Sequence, residues 1–580
     1  MNKPVKYTLI GLGLLIALLI GAAVVFALTF NPNRYKDEIE RLAKEQTGRT
    51  LDIKGDIKMA FWPSLGADVA GVTLSERGSN QQFVAFDSAH ASVKLMPLLR
   101  GQYIVDSVKL SGLKARIVKG KDGRYNFSDL VEGDAKKPAQ AKKEAEKSGA
   151  PLVFDIGSID IQRASIAYSD LQAGQEYMLE DVKIRTGRIA KDAEGKLELG
   201  MLAKRKAPPL EARLALDGRY RFANGTLSAD VNGKLDESTL KAKFTLTEPY
   251  EFEASVDRIN LDRYLGAPQK PAAKPAAQEK TAKSEDAPVD FSALKGINAK
   301  GKLQIGALEV RGLKLSELNA QVSAANGRVA VAPHSAKGYE GTISGEVIVD
   351  ANRNHVTLKE KLEGISIGPI LRDFAQQDRL EGKGNLTLDV TTAGNTVNAM
   401  KRALAGSARL QLRDGAVKGI NLGEILRKAR SALGGGSQAA QGETGGAKPQ
   451  TDFSELSASF AIKNGIARND DLDAKAPLFR LGGSGEINIP ESTLNYVVKA
   501  AVVASAEGQG GRERDKLAGL TVPVRLHGSF DDLKYDVDVR AMAGNAAKSQ
   551  VGERVKEQIE QRKDKIEERI GDRLKGLLKR

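Results

Sequence analysis

The chain has no cysteine in 580 residues, one tryptophan, four histidines and only 5% aromatic residues. Without cysteine there is no disulfide framework, no iron–sulfur cluster and no thiol chemistry. The histidines, His90, His334, His355 and His527, stand far apart with no partner at helical or finger spacing. Metal sites need clustered donors, so each reads as a surface or turn residue, and no metal or cofactor is expected. The net charge of +14 suits an anionic surface. Nucleic acid is not the expected partner, because no basic stretch is interleaved with stacking rings. Long hydrophobic runs are also scarce: there is one, TLIGLGLLIALLIGAAVVFALTF, from Thr8 to Phe30.

That run of about 23 residues is long enough to cross a hydrocarbon core of about 30 Å as a helix. Its anchoring residues are Leu9, Leu14, Leu15, Ile16, Leu18, Leu19, Ile20, Val24, Val25 and Phe26. Lys3 and Lys6 precede it, and a basic flank stays on the cytoplasmic side, which exports the bulk of the chain. A cleaved signal peptide has a shorter core and a small-residue cleavage site; Leu28-Thr29-Phe30-Asn31 offers none. The expectation is a single-pass anchor carrying a large body.

Three stretches have linker composition: Gly133–Ala150, Gly266–Pro288 and Gly434–Pro449. They lack the large apolar residues that would offset ordering entropy. The expected organisation is a stub and anchor over 1–30, then a helix with a first β unit over 31–132. A linker over 133–150 leads to a second β unit over 151–265, and a linker over 266–289 to a third unit with helices over 290–433. A linker over 434–449, a C-terminal β unit over 450–546 and a basic amphipathic helix over 547–580 complete it.

Between the linkers the dominant period is two. Leu51, Ile53, Ile57, Met59 and Phe61 alternate with Asp52, Lys54, Asp56 and Lys58, interrupted at Gly55. The pattern recurs at Val108/Leu110, Ile159/Ile161, Leu303/Ile305, Leu386/Leu388/Val390, Leu410/Leu412 and Ile487/Ile489. Side chains alternate across a strand, so one face is apolar and the other charged. Asp122-Gly123, Asn224-Gly225, Asn326-Gly327, Asp414-Gly415 and Asn464-Gly465 read as hairpin turns. The reading is a long antiparallel meander. Helices are few: Asn33–Gln46, with Tyr35, Ile39, Leu42 and Ala43 on one side packing on the first strands and Gly48 as C-cap; Pro369–Gln377; Leu422–Leu433; and Lys548–Arg580.

Two motifs come close to chemistry and fall short. Gly364-Ile365-Ser366-Ile367-Gly368 matches G-x-S-x-G, but only His527 lies downstream and the chain is not α/β, so Ser366 reads as a loop residue before the Pro369 helix. Gly296–Leu303 approaches a P-loop, but Leu303 stands where Ser or Thr must hold Mg²⁺, and a strand pattern follows.

An apolar sheet face must be covered. A second sheet is the common answer. A strongly bent single sheet whose concave face holds acyl chains is the less common one. Recurrence of the alternation through the whole body, the anchor, and a terminal helix of the kind that lies on membranes or docks on a partner together favour lipid handling.

The segments NPNRYKDEIERLAKEQTGRTLDIKGDIKMAFWPSLGADVAGVTLSE, KLMPLLRGQYIVDSVKLSGLKARIVKGKDGRYNFSDL, GSIDIQRASIAYSD, RLEGKGNLTLDVTTAGNTV and LAGSARLQLRDGAVKGINLGEILRKAR follow one another in this order. In this the chain resembles the AsmA family of Gram-negative inner-membrane proteins, almost end to end, apart from the long linkers. The resemblance implies an architecture similar to the repeating β-groove lipid-transfer proteins with a chorein-like N-terminal element. It implies a part in phospholipid movement between inner and outer membranes, or in outer-membrane protein assembly and envelope integrity. It supplies no catalytic motif. The expected fold is therefore mainly β: a transmembrane helix, a long bent antiparallel sheet forming an apolar groove, and a few amphipathic helices. The groove-lining candidates are Leu51, Ile53, Ile57, Met59, Val108, Leu110, Ile159, Ile161, Leu303, Ile305, Leu386, Leu388, Leu410 and Leu412. The expected partners are phospholipid acyl chains, the inner membrane and, through the C-terminal helix, the outer membrane or its assembly machinery. An assembly factor using sheet edges and a hydrolase at Ser366 are the competing expectations.

Overall fold

A computed structural model describes residues 31–100, 102, 104–132, 155–172, 174–207, 209–265, 289, 291–425, 449–477, 479–502, 521–530 and 532–537. The run Thr8–Phe30, the helix expected over 548–580 and the three linker stretches (Pro449 excepted) lie outside them. Among the described residues no helix is long and apolar enough to cross a membrane. The fold is mainly β and divides into two units, Met1–Ala267 and Pro268–Arg580.

The first unit opens with a 3₁₀ turn, Pro32–Tyr35, and α1 (Lys36–Thr47), which ends on Gly48 in the left-handed conformation, φ +68°. Strands β1 (Leu51–Ile53) and β2 (Lys58–Ala60) both pair with β3 (Ser64–Ser75), which pairs with β4 (Gln82–Lys94). Next come β5 (Val105–Ser111), β6 (Lys114–Lys119), β7 (Asp155–Ile156), β8 (Ile159–Asp170), β9 (Gln175–Thr186) and β10 (Ile189–Ala190). The unit ends with β11 (Ala193–Arg205), β12 (Leu210–Ala223), β13 (Thr226–Leu235), β14 (Ser238–Thr245) and β15 (Tyr250–Asn260). From β8 onward the long strands are antiparallel neighbours.

The expectation of a purely antiparallel meander is corrected here. β5 and β6 pair antiparallel with β4 but parallel with β8, in register Leu110↔Ile161 and Ile117↔Tyr168. A hairpin cannot join parallel neighbours; a crossover must. Strands that precede and follow the 133–150 stretch in sequence therefore lie side by side and parallel. Two local expectations change as well. The strand read from Leu51 to Phe61 is two strands, broken where Gly55 lies against the Ala70 backbone. The apolar side of α1 meets β1 as expected but is only partly covered: Ala43 is half-buried, while Tyr35, Ile39 and Leu42 stay exposed. Polar bonds hold α1 as well. The Asn33 amide donates to the Ile57 carbonyl and accepts from the Ile57 N–H, Lys36 pairs with Asp56 at 3.3 Å, and Glu40 accepts from the Ile53 N–H.

The second unit is the expected meander. Strands β16 (Ala299–Val310), β17 (Leu313–Ala325), β18 (Arg328–Gly338), β19 (Gly341–Asp350), β20 (His355–Ser366), β21 (Leu380–Ala393) and β22 (Ala405–Lys418) pair in order, each antiparallel to the next. So do β23 (Gln450–Lys463), β24 (Ile466–Lys475), β25 (Phe479–Asn488), β26 (Thr493–Val502), β27 (Thr521–Ser529) and β28 (Leu533–Val537). α2 (Ile367–Ala375) follows β20, and α3 (Val397–Ala403) follows β21. Residues 422–425 are helical, where a helix was expected from Leu422. The hairpin signals hold at Asn326-Gly327 and Asn464-Gly465, as at Asn224-Gly225 in the first unit, both residues of each pair having positive φ as the tight two-residue turn requires. Asp414-Gly415 is no turn; it lies inside β22, facing a register shift in β21.

Candidate functional site

In the first unit, register turns the period-two pattern into rows that cross the sheet. One row runs Val69–Ala89–Leu110–Ile161–Ile184–Leu199–Leu216–Gly233–Leu240–Val256, from β3 to β15. Every member is half-buried and none is sealed. Two residues along the strands a second row runs Met59–Ala67–Ala91–Val108–Ile159–Thr186–Leu197–Gly218–Val231–Ala242–Ala254, of which only Val231 is buried. Ten strands at about 4.8 Å apart make a stripe of about 43 Å.

One position off, the opposite face carries Lys58–Asp68–His90–Lys109–Asp160–Arg185–Glu198–Asp217–Asn232–Lys241–Ser255, with no apolar residue in it. Opposite charges pair across strands along part of the row: His90 Nδ1 to Asp68 at 2.8 Å, Arg185 to Asp160 at 3.3 Å and to Glu198 at 3.6 Å. Such exposed pairs contribute little stability each and keep this face in water.

The second unit repeats the two-faced design. Gln304–Asn319–Ser335–Ser344–Lys361–Thr387–Arg409–Ser459 is a polar row across eight strands. On the other face Gly301–Val322–Val331–Val347–Leu358–Val390–Gly406–Ile462–Ala467–Ile487–Leu494–Gly528–Leu533 crosses β16 to β28, with only Ala467 buried. Toward the other ends of the strands this face is closed. Ile367, Ile370 and Leu371 of α2 pack with Leu362, Leu412 and Phe453. Ile420, Leu422 and Ile425 cover Ala474, Leu481, Ala500, Val522 and Val524.

Between the open and closed rows lies a polar island. Leu303–Ala320–His334–Gly345–Glu360–Leu388–Ala408–Phe460 is one row. In it His334 Nε2 meets Glu360 Oε2 at 3.1 Å, each side chain only 10% exposed. Gly345 between them leaves the path open: a Cβ there would stand 2.8 Å from Glu360 Oε2. The hydrogen bond to Glu360 raises the His334 pKa above its ordinary value, against the lowering effect of burial. This pair was missed in the sequence, where His334 read as a surface or turn residue. The signal was present in Leu358-Lys359-Glu360-Lys361-Leu362, whose alternation puts a carboxylate in apolar register.

Of the groove candidates, Met59, Val108, Leu110, Ile159 and Ile161 fall in the two open rows of the first unit. Leu51 and Ile53 pair with Leu74 and Val72, beyond Gly71 (φ +63°), and join neither row. Ile57 lies between strands, fastened to Asn33. In the second unit Leu303, Ile305, Leu386, Leu388, Leu410 and Leu412 share one face. Ile305 and Leu412 are buried there, at 6% and 2% exposure, rather than open; for Leu412 the cause is the packing of α2 and Phe453. Ser366 is not in a loop. It is the last residue of β20, with ordinary extended dihedrals (φ −86°, ψ 107°), and hydrogen-bonds Glu340. A nucleophile elbow is a strained turn, and this one is not. Among the described residues no three His, Asp or Glu side chains gather as a metal site.

The family model described as "AsmA family" matches residues 1–243 and 223–472. Protein AsmA of Escherichia coli (strain K12) is 21% identical over 622 residues, covering 98% of this chain and 98% of that protein. No solved structure matches.

Proposed function

This chain belongs to the AsmA family, and from that premise we propose that it carries phospholipid acyl chains along its open apolar rows, as a non-enzymatic conduit or scaffold of the cell envelope. In this reading Thr8–Phe30 anchors it in the inner membrane, with the N-terminus cytoplasmic and the bulk in the periplasm, and the acyl chains travel toward the outer membrane. The observation that supports it most is the row from Val69 to Val256. Ten strands contribute to it and no described element seals it. Soluble proteins rarely leave an apolar stripe of that extent uncovered unless something binds it. An acyl chain laid on it gains about 0.8 kcal/mol for each methylene removed from water. The charged row on the opposite face keeps the outside of the sheet in solvent.

The test is the lipid that co-purifies with the full chain. Wild type carries phospholipid by mass spectrometry, and Ile184→Glu with Leu216→Glu loses most of it while remaining folded by circular dichroism. Lipid-free wild-type protein whose half-buried row crosslinks only to other proteins would transfer the face to outer-membrane protein assembly instead.

A further inference from the structure

The end of the first unit where β3 begins and β4 ends carries apolar side chains that the described residues leave exposed. Trp62, the only tryptophan in the chain, is 70% exposed. Met96, in the short helix Leu95–Leu98 that follows β4, is 52% exposed, and Leu99 just after it is 72% exposed. The structure brings these loops together: Ser64 pairs with Lys94, the Ser64 hydroxyl bonds Asp106 at 2.7 Å, and the Lys94 N–H donates to the Ile104 carbonyl at 2.9 Å. Lys58, four residues before Trp62 in sequence, and Arg100, directly after Leu99, are both exposed.

We infer that these apolar side chains sit in the headgroup layer of the membrane that holds the Thr8–Phe30 run, so that the apolar rows begin at the lipid surface. The inference rests on the anchored, lipid-carrying reading above and adds the surface that makes contact. Three observations select a bilayer as the occupant. First, the apolar run ends at Phe30, and Asn33 is bonded to Ile57, which five residues of chain, at most about 17 Å, separate from Trp62. Second, α1 runs from Ile57 toward Arg49, whose guanidinium bonds the Ser75 carbonyl at the far end of β3. The start of α1, where the run joins, is thus its end nearer the Trp62 loop. Third, the composition is that of an interfacial patch: an amphipathic ring and aliphatic side chains, with cations close by in sequence that meet anionic headgroups. Met59, which opens the second apolar row on β2, is three residues from Trp62.

The single tryptophan makes the test direct. The full chain is placed in nanodiscs of phosphatidylethanolamine and phosphatidylglycerol, with or without bromine on the upper acyl carbons, and Trp62 emission is read. The inference predicts a shift to shorter wavelength and loss of most of the emission with brominated lipid, both reduced by Met96→Glu with Leu99→Glu. Chain that stays bound to the disc with a water-exposed, unquenched Trp62 overturns the inference and leaves the anchor standing. A blue-shifted but unquenched Trp62 also overturns it, assigning the patch to a protein partner or a second copy. Quenching that persists after transfer from brominated discs into detergent overturns it in favour of lipid carried in the rows. Chain that fails to enter discs overturns both this inference and the anchored reading.

Discussion

The two units solve the same problem differently. Both are sheets with one charged and one apolar face, and both thread apolar rows across every long strand. The first unit leaves its Val69–Val256 row uncovered, closes its apolar face only around Tyr220, Ala229 and Val231, and is fastened at one end by a buried ion pair. Arg49, fully buried, bonds Asp129 at 2.6 and 3.1 Å, the Ser75 and Asn126 carbonyls at 3.1 and 2.7 Å, and stacks on Phe83 at 4.8 Å. The second unit closes part of its apolar face with α2 and with residues 420–425, and most buried apolar residues among those described lie there. Apolar cover and an open binding face compete for the same side chains. A unit that keeps its face open must draw its rigidity from polar contacts at the ends of its strands.

The largest way to break this comparison is Arg49→Met. It strands Asp129 and two carbonyls, and the first unit should lose about 3 kcal/mol or more, read as an earlier unfolding transition in urea with the second unit's transition unmoved. Because Arg49 depresses the Asp129 pKa, the stabilisation is present above the ordinary carboxylate pKa and is lost as pH falls through the depressed value. A paired substitution sharpens the contrast. Leu412→Ala, beneath α2, should cost about 2–5 kcal/mol, whereas Leu216→Ala, on the open row, should cost clearly less. Equal costs by the same denaturation assay would mean that the first unit's row is covered. The smallest effect is at the polar island. With the His334 pKa raised, the His334–Glu360 pair stabilises the second unit below about pH 6.5, and this contribution disappears as pH rises through the raised value. His334→Gln should flatten the pH dependence of that unit's unfolding midpoint between mildly acidic and mildly alkaline buffer.

Much of this was legible in the sequence, because period two is a local signal. Alternation at Val108/Leu110 and Ile159/Ile161 identified side chains that do share a face, and paired left-handed residues marked Asn224-Gly225, Asn326-Gly327 and Asn464-Gly465 as turns. What was not legible depends on partners distant in the chain. The parallel pairing of β5 and β6 with β8 joins strands separated in sequence by a stretch whose composition reads only as a spacer. Asp414-Gly415 has the letters of a turn but occupies a bulge, because β22 continues past it to pair with β23. Leu412 has the same alternation as Leu410, and only the docking of α2 buries it. The apolar side of α1 was legible only in part: the helix meets β1 and half-buries Ala43, but Tyr35, Ile39 and Leu42 stay exposed, and the Asn33, Lys36 and Glu40 side chains add polar bonds that the pattern does not show.

The central claim is that the open rows hold acyl chains and the sealed ones do not. Phospholipid bearing a photoactivatable diazirine in its acyl chain, irradiated with the full chain in membranes and mapped by peptide mass spectrometry, tests it without altering a residue. The account predicts adducts on Leu110, Ile184, Leu199, Leu216 and Leu240 and none on Leu412 or Ala500. Adducts spread equally over open and sealed rows, or absent from the Val69–Val256 row, would contradict it.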